Sequence, residues 1–342
     1  MKISKEQEAI INAPISEKTV VIATPAAGKT FCLTERLRTL VKNGVDPERI
    51  VAITFTNNAA AEMRARLGND FKQGMYIGTI HGYANNLLVS HNIDTSEIIN
   101  DEEFDEFFNL ITLYPEVINP VDYLLCDEAQ DLCPTQFRFI LEMIEPKGCL
   151  FVGDVRQSIY GFRNADPKLL MRLIEDENFT VRTLSQNYRN ATNIITESNY
   201  LAKKMVGTYD LTPQPMRDIK GKVDFINLAD VCRIIKKEPK WDKWAILCRT
   251  NKKVDMMMAL LEQNNIPCTT FKQGALNNKQ LYEAMNSNMV KVLTVHASKG
   301  LEFDNVVLTE VRIKSQEDIR VTYVGVTRAR DELYIVKNER RR

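Results

Sequence analysis

Four apolar residues, Val20-Val21-Ile22-Ala23, run straight into Thr24-Pro25-Ala26-Ala27-Gly28-Lys29-Thr30, and an apolar pattern at helical spacing follows from Phe31. A buried strand, a tight loop ending Gly-Lys-Thr and a helix leave few folds open. Such a loop turns backbone N–H groups and the helix N-terminus toward a polyphosphate. Lys29 then supplies a point charge to the outer phosphates, and the Thr30 hydroxyl can ligate Mg²⁺. The strict pattern G-x-x-x-x-G-K-[ST] is not met, because Ala23 stands where the first glycine belongs. Taken alone, the stretch is compatible with a nucleotide site or with an ordinary strand–turn–helix.

The 342 residues are 44% hydrophobic and 26% charged, which suits two domains with a core each. Forty-five Lys and Arg balance forty-five Asp and Glu. Overall charge therefore points to no polyanion partner, although a local basic groove needs no basic whole. The seven cysteines form no C-x-x-C pair, and several lie in apolar runs. Reduced core thiols in an intracellular, cytoplasmic protein are the expectation. Three histidines without a Cys/His cluster argue against structural zinc. No signal-peptide pattern opens the chain and no apolar run reaches transmembrane length, so no membrane role is expected.

Along the chain, residues 4–13 read as a short amphipathic helix on which Gln7 is a solvated position. Strands at Val51–Phe55, Met75–Gly78, Val121–Cys126, Gly148–Gly153 and Thr180–Leu184 alternate with helical patterns. That alternation predicts a parallel sheet with ligands at the C-terminal strand ends. Thr54, Phe55, Thr56, Asn57 and His81 fall at such ends. The strand ending at Cys126 delivers Asp127-Glu128, the two carboxylates a Walker B segment needs. One carboxylate serves Mg²⁺ and the other deprotonates the attacking water. Past Gly153, Gln157, Tyr160, Phe162 and Arg163 cluster either as a loop with a buried tyrosine or as a γ-phosphate sensor beside an aromatic platform for bases. In the second half, strands are expected at 243–248, 290–295, 305–308 and 333–336, with a helix over 320–330.

The ordered set of motifs resembles the UvrD/Rep/PcrA-like family of superfamily 1 DNA helicases. The resemblance rests on Thr54–Asn57, Cys126–Asp131, Gln157–Arg163, Gln186–Arg189, His296–Phe303 and Tyr323–Ala329, spread over most of the chain. It implies an α/β fold of two RecA-like motor domains, residues 1–181 and 182–342, with an ATP site in the cleft between them. Under it Gln7 reads adenine, Tyr188 stacks on the base, and residues Ala23, Thr24, Pro25, Ala26, Ala27 and Gly28 form the loop around the phosphates. Lys29, Thr30, Asp127 and Glu128 carry the phosphate and Mg²⁺ chemistry, and Gln157 contacts the γ-phosphate and water. Arg189 and Arg328 are implied as arginine fingers, and Gly300 and Glu302 as seats for the ribose and phosphates. Phe55, His81, Tyr160, Phe162, Arg163, His296 and Lys299 are implied as DNA contacts.

The implied function is 3′→5′ translocation along single-stranded or tailed duplex DNA driven by ATP hydrolysis. A monomer and a replication or repair protein partner complete the expectation.

Three departures stand out. Ala26 occupies a position that is often glycine, at a cost of about 1 kcal/mol if its φ is positive. Phe31 stands where relatives often carry Arg, and Phe162 where well-known members have Trp. Residues 89–120 and 271–289 are too short for the accessory domains that relatives insert there. A stripped motor that unwinds weakly alone is the leading expectation. A nucleotide-gated DNA-binding module and an ATPase subunit of a larger complex are the competing ones.

Overall fold

The computed structural model describes residues 3–101, 105–271 and 283–337. They form two compact units, Met1–Ser185 and Gln186–Arg342.

The first unit is built on β1 (Lys18–Ala23), β2 (Ile50–Thr54), β3 (Tyr76–Thr79), β4 (Tyr123–Cys126), β5 (Gly148–Gly153) and β6 (Thr180–Leu184). Their order is β3-β2-β4-β5-β1-β6, and every adjacent pair is parallel. A parallel sheet needs cover on both faces, so its strands are apolar without interruption. Accordingly β2, β4 and β5 are buried throughout, and β1 is buried after its first residue. The helix Lys29–Lys42 buries Cys32, Leu33, Leu37 and Leu40 in the core beside Val21, Ala52 and Leu125. Because all six strands run one way, their C-terminal ends share one edge of the sheet.

The division between units falls four residues beyond the expected 181/182 boundary. A cut at 181 would split β6, which pairs along its whole length with β1. Among the described residues of 89–120 are the short helices Ser96–Asp101 and Glu106–Leu113, the second turning Phe107, Phe108 and Ile111 inward.

The second unit begins with a two-residue pair, β7 (Gln186–Asn187) and β8 (Gln214–Pro215). Its main sheet comprises β9 (Lys222–Ile226), β10 (Trp244–Cys248), β11 (Cys268–Thr269), β12 (Val290–Thr294), β13 (Phe303–Leu308) and β14 (Ala329–Val336). The order is β11-β12-β10-β13-β14-β9, again parallel throughout. Both units are therefore α/β, with parallel sheets flanked by helices in the RecA-like manner.

The short strands β7, β8 and β11, the edge strand β9 and the helix Val231–Lys237 have no counterpart among the expected elements. Edge strand β9 mixes Lys222 and Asp224 with Val223 and Phe225, so its apolar signal is weak, and the helix Val231–Lys237 has only two turns. The helix expected over 320–330 lies instead at Gln316–Val326. Thr327 caps it, and Ala329 already pairs with Phe303 as the start of β14. Of the expected insertion at 271–289, residues 272–282 lie outside the described residues.

Candidate nucleotide and nucleic-acid sites

β1 ends at Ala23, and the loop that follows is held from below. The Thr24 N–H donates to the Leu184 carbonyl at 2.8 Å, and its hydroxyl bonds the Leu184 and Ser185 carbonyls at 3.2 Å. Thr24 and Ala23 are thus buried supports on the sheet side of the loop. The chain then turns through Ala26 at φ 59° and Gly28 at φ 82° before the helix starts at Lys29. Both torsions are left-handed, where glycine is at ease and alanine is strained by about 1–2 kcal/mol. The conditional penalty at Ala26 is therefore real in this loop. Gly28 has a second constraint: a Cβ there would lie 3.0 Å from Gln7 Nε2.

Gln7 is 6% exposed, so the solvated reading of that residue is corrected. It sits at the third helical position of a capping box with Ser4. The Ser4 N–H donates to Gln7 Oε1 at 3.1 Å, and the Gln7 N–H donates to Ser4 Oγ at 3.2 Å. The Ser4-x-x-Gln7 spacing is the sequence signature of this box. With Oε1 committed to the cap, the Nε2 end is the one beside the phosphate loop.

Two residues that the sequence reading passed over hold this helix in place. Fully buried Arg36 donates to the Ile11, Ala13 and Pro14 carbonyls and lies over the Tyr123 ring at 4.7 Å. Glu6 accepts from the Ser185 N–H and hydroxyl, each at 2.8 Å. Phe31 packs against the apolar core of the unit.

β4 lies two strands from β1, with β5 between them. At its end the Asp127 N–H donates to the Ile53 carbonyl at 2.9 Å, which continues the ladder toward β2. Glu128 then adopts φ 51°, a left-handed conformation that turns its side chain back toward β1. Lys29 Nζ donates to Glu128 Oε1 at 2.8 Å. Burial alone would lower the Lys29 pKa, but the charges of Glu128 and then Asp127 outweigh it and hold the pKa above its ordinary value.

The other Glu128 oxygen accepts from the Gln130 amide, and Gln130 Oε1 accepts the Asp154 N–H at 2.9 Å. Gln157 Nε2 donates to Asp154 Oδ2 at 2.9 Å, so the candidate sensor is anchored at the end of β5. Lys29, Glu128 and Gln157 thus come together in one hydrogen-bonded group. Among the described residues no cluster of three or more His, Cys, Asp or Glu could cage a metal. The Thr30 hydroxyl and the Asp127 carboxylate are a donor pair of the kind that fits Mg²⁺, which is typically held by one or two carboxylates together with substrate phosphates.

The aromatic candidates divide by exposure. Phe55 and Tyr160 stack at 4.7 Å with their planes 25° apart, and Phe162 meets Tyr160 edge-on at 5.8 Å. Tyr160 is 2% exposed and Phe162 is 66% exposed. Tyr160 is therefore the buried spacer of this strip, and Phe162 offers the open ring. His81 is half-buried beside Phe108, 3.3 Å from Gln136 Nε2 and 3.5 Å from Asp105 Oδ1. Arg163 is the last residue of the short helical turn Gly161–Arg163, which the Asn164 N–H closes onto the Gly161 carbonyl at 3.0 Å.

In the second unit, Arg189 pairs with exposed Glu302, and Arg330 reaches the same carboxylate at 3.4 Å. Arg328 is 3% exposed. It donates to the Val324 and Leu301 carbonyls at 3.1 and 3.3 Å and to Thr327 Oγ1 at 3.2 Å. The buried Asn190 side chain donates to the carbonyls of Thr327 and Ala329, which bracket Arg328. Asn190 follows Arg189 directly, so one amide ties the two arginine segments together. The Tyr188 hydroxyl donates to Gln186 Oε1. Gly300 turns at φ 86°, while His296 and Lys299 are half-buried in the same loop after β12.

A phosphate loop, a two-carboxylate strand end and a strand between them define a P-loop nucleotide-binding unit. The UvrD/REP helicase N-terminal domain model matches residues 3–114 and 111–178, and the UvrD-like helicase C-terminal domain model matches 271–340. The chain belongs to the UvrD/REP helicase family. It is 23% identical to DNA helicase II of Haemophilus influenzae, over 78% of this chain and 50% of that protein. It is 28% identical to DNA helicase II of Escherichia coli, over 59% of this chain and 40% of that protein. A Mycoplasma pneumoniae protein named "Probable DNA helicase" is 22% identical over 98% of this chain and 83% of its own length. The chain thus spans about half the length of the helicase II relatives it matches. Among the described residues no helix is long and apolar enough to cross a membrane.

Proposed function

We propose that the chain is an ATP-dependent DNA helicase or single-stranded DNA translocase that moves 3′→5′ and hydrolyses ATP to ADP and phosphate. The observation that carries this is the Lys29–Glu128 contact of 2.8 Å, set between the ends of β1 and β4 on the sheet edge that also bears Phe55. Lys29 neutralises phosphate charge, and Glu128 takes the proton of the attacking water. Gln157 orients that water from its anchor on Asp154. Thr30 and Asp127 would hold Mg²⁺, which would neutralise charge on the phosphate oxygens. Gln7 and Tyr188 recognise the base, and Gly300 and Glu302 seat the ribose and phosphates. Arg189 and Arg328 act as arginine fingers that stabilise charge on the transferred phosphoryl group. Phe162 stacks on bases without regard to sequence, as a motor on arbitrary sequence requires. His81, Arg163, His296 and Lys299 add contacts along the strand.

A second reading is a nucleotide-gated DNA clamp with little turnover. The strained Ala26 and the burial of Arg328 on backbone carbonyls favour it. Strand displacement on 3′-tailed, 5′-tailed and blunt duplexes tests the proposal. Displacement confined to 3′-tailed duplex, weak without a partner protein, supports it. Processive unwinding of long duplexes by the isolated chain contradicts the stripped-motor reading, and displacement from 5′ tails contradicts the polarity.

A further inference from the structure

Gln130 is fully buried in the short turn Ala129–Asp131 after β4. A primary amide has one acceptor oxygen and two N–H donors, and here they serve two different parts of the site. The oxygen accepts the Asp154 N–H at 2.9 Å. The nitrogen donates to Glu128 Oε2 and lies 3.3 Å from Asp131 Oδ2. The Gln130 backbone carbonyl accepts the Ser158 hydroxyl at 3.1 Å. One residue therefore grips the loop after β5 at both Asp154 and Ser158 and grips the carboxylate of Glu128 as well. Gln157 lies between the two gripped positions, and Tyr160 and the exposed Phe162 follow directly. The space is fitted to this amide: a Cβ on Gly153 would come 2.6 Å from Gln130 Oε1 and 2.7 Å from Leu170 Cδ2.

We propose that Gln130 is a positioning residue that couples the aromatic strip on the loop after β5 to the carboxylate of Glu128, so that nucleic acid on Phe162 sets the alignment of the base. This rests on the ATPase reading above. A base on Phe162 loads the loop, the loop shifts the Asp154 N–H and the Ser158 hydroxyl together, and the Gln130 amide carries the shift to Glu128 Oε2. Lys29 holds the opposite oxygen, Oε1. Glu128 can thus stay aligned by Gln130 when Lys29 is drawn to phosphate. A buried amide with only a packing role would affect stability and every activity alike.

The test compares wild type with Gln130→Met, Gln130→Glu and Gly153→Ala in the full chain. Met removes the side-chain hydrogen bonds to Asp154, Glu128 and Asp131 at similar volume. Glu keeps an acceptor for the Asp154 N–H but repels Glu128, and Ala at 153 displaces the amide without removing it. ATPase rates with and without oligo(dT) are measured, together with the affinity for a non-hydrolysable ATP analogue with and without oligo(dT), the oligo(dT) affinity and thermal melting. The expected result is a fall of at least about fivefold in the oligo(dT) stimulation ratio, the lower end of ordinary site-to-site coupling. The dependence of analogue affinity on oligo(dT) is lost with it, while binding of each ligand alone is retained. A variant that melts like wild type and keeps both the stimulation ratio and the linked affinity overturns the proposal. If Gln130→Met fails to fold, the same readouts on Gly153→Ala decide. Wild type without any turnover removes the ATPase reading itself, whereas stimulated wild type with equally stimulated variants removes the coupling alone.

Discussion

Lys29 Nζ and Glu128 Oε1 are 2.8 Å apart, so the cation expected to meet phosphate and the carboxylate expected to activate water neutralise each other. The two substitutions should therefore differ. Glu128→Gln leaves the cradle and the amide-compatible contact with Lys29, and loses the base. Turnover should fall by about 10²–10⁴, the ordinary contribution of general-base catalysis, with nucleotide binding retained. Lys29→Ala should lose nucleotide binding as well, as read by equilibrium titration with a fluorescent ATP analogue.

Ala26 at φ 59° is a strained residue in the loop proposed to bind phosphate. Ala26→Gly should relieve about 1 kcal/mol of left-handed strain, less a part returned through the greater freedom of the unfolded chain. A rise in Tm of up to about 4 °C is expected for a unit of this size, checked by calorimetry. If the strain also restrains the loop, the nucleotide affinity of the variant rises in the same titration.

Tyr160 and Phe162 should behave as opposites. Phe162→Ala removes an exposed ring, so oligo(dT) affinity should fall by about 1–3 kcal/mol, the worth of one stacked base, with melting unchanged. Tyr160→Ala opens the packing under Phe55 and should destabilise the fold by about 3–5 kcal/mol, as for other large aromatic truncations. Anisotropy titration and denaturant melts separate the two.

Arg182 on β6 pairs with Glu17 through contacts of 2.8 and 3.1 Å. Burial raises the Glu17 pKa, but the hydrogen bond and charge of Arg182 outweigh it, and the carboxyl sits below its ordinary value. A lowered carboxyl contributes stability that is present above the unfolded-state pKa and is lost as pH falls through the folded-state one. Glu17→Gln should therefore lower stability at neutral pH by about 1 kcal/mol or less, as for a partly exposed pair. The gap to wild type should close in melts below the ordinary carboxylate range.

The first unit was largely legible because its inner strands are buried on both faces and its motif residues sit at strand ends. Continuous runs such as Val20–Ala23 and Leu124–Cys126 carry both signals at once. What escaped was tertiary or marginal. Arg36 looks like any helix arginine until the carbonyls of Ile11, Ala13 and Pro14 are placed against it. Gln130 reads as one letter of a motif until Gly153 and Asp154 close around it. β9 is an edge strand with alternating charge, and the pairing of Ala329 with β13, rather than any local preference, ends the last helix before Arg328.

The central claim is that Lys29, Glu128 and Gln157 form a hydrolytic site answerable to nucleic acid. Steady-state ATP hydrolysis by the purified chain, with and without oligo(dT), tests it most directly. Turnover that rises several-fold with oligo(dT) and disappears in Glu128→Gln is the predicted result. A flat rate near zero in both conditions would contradict it.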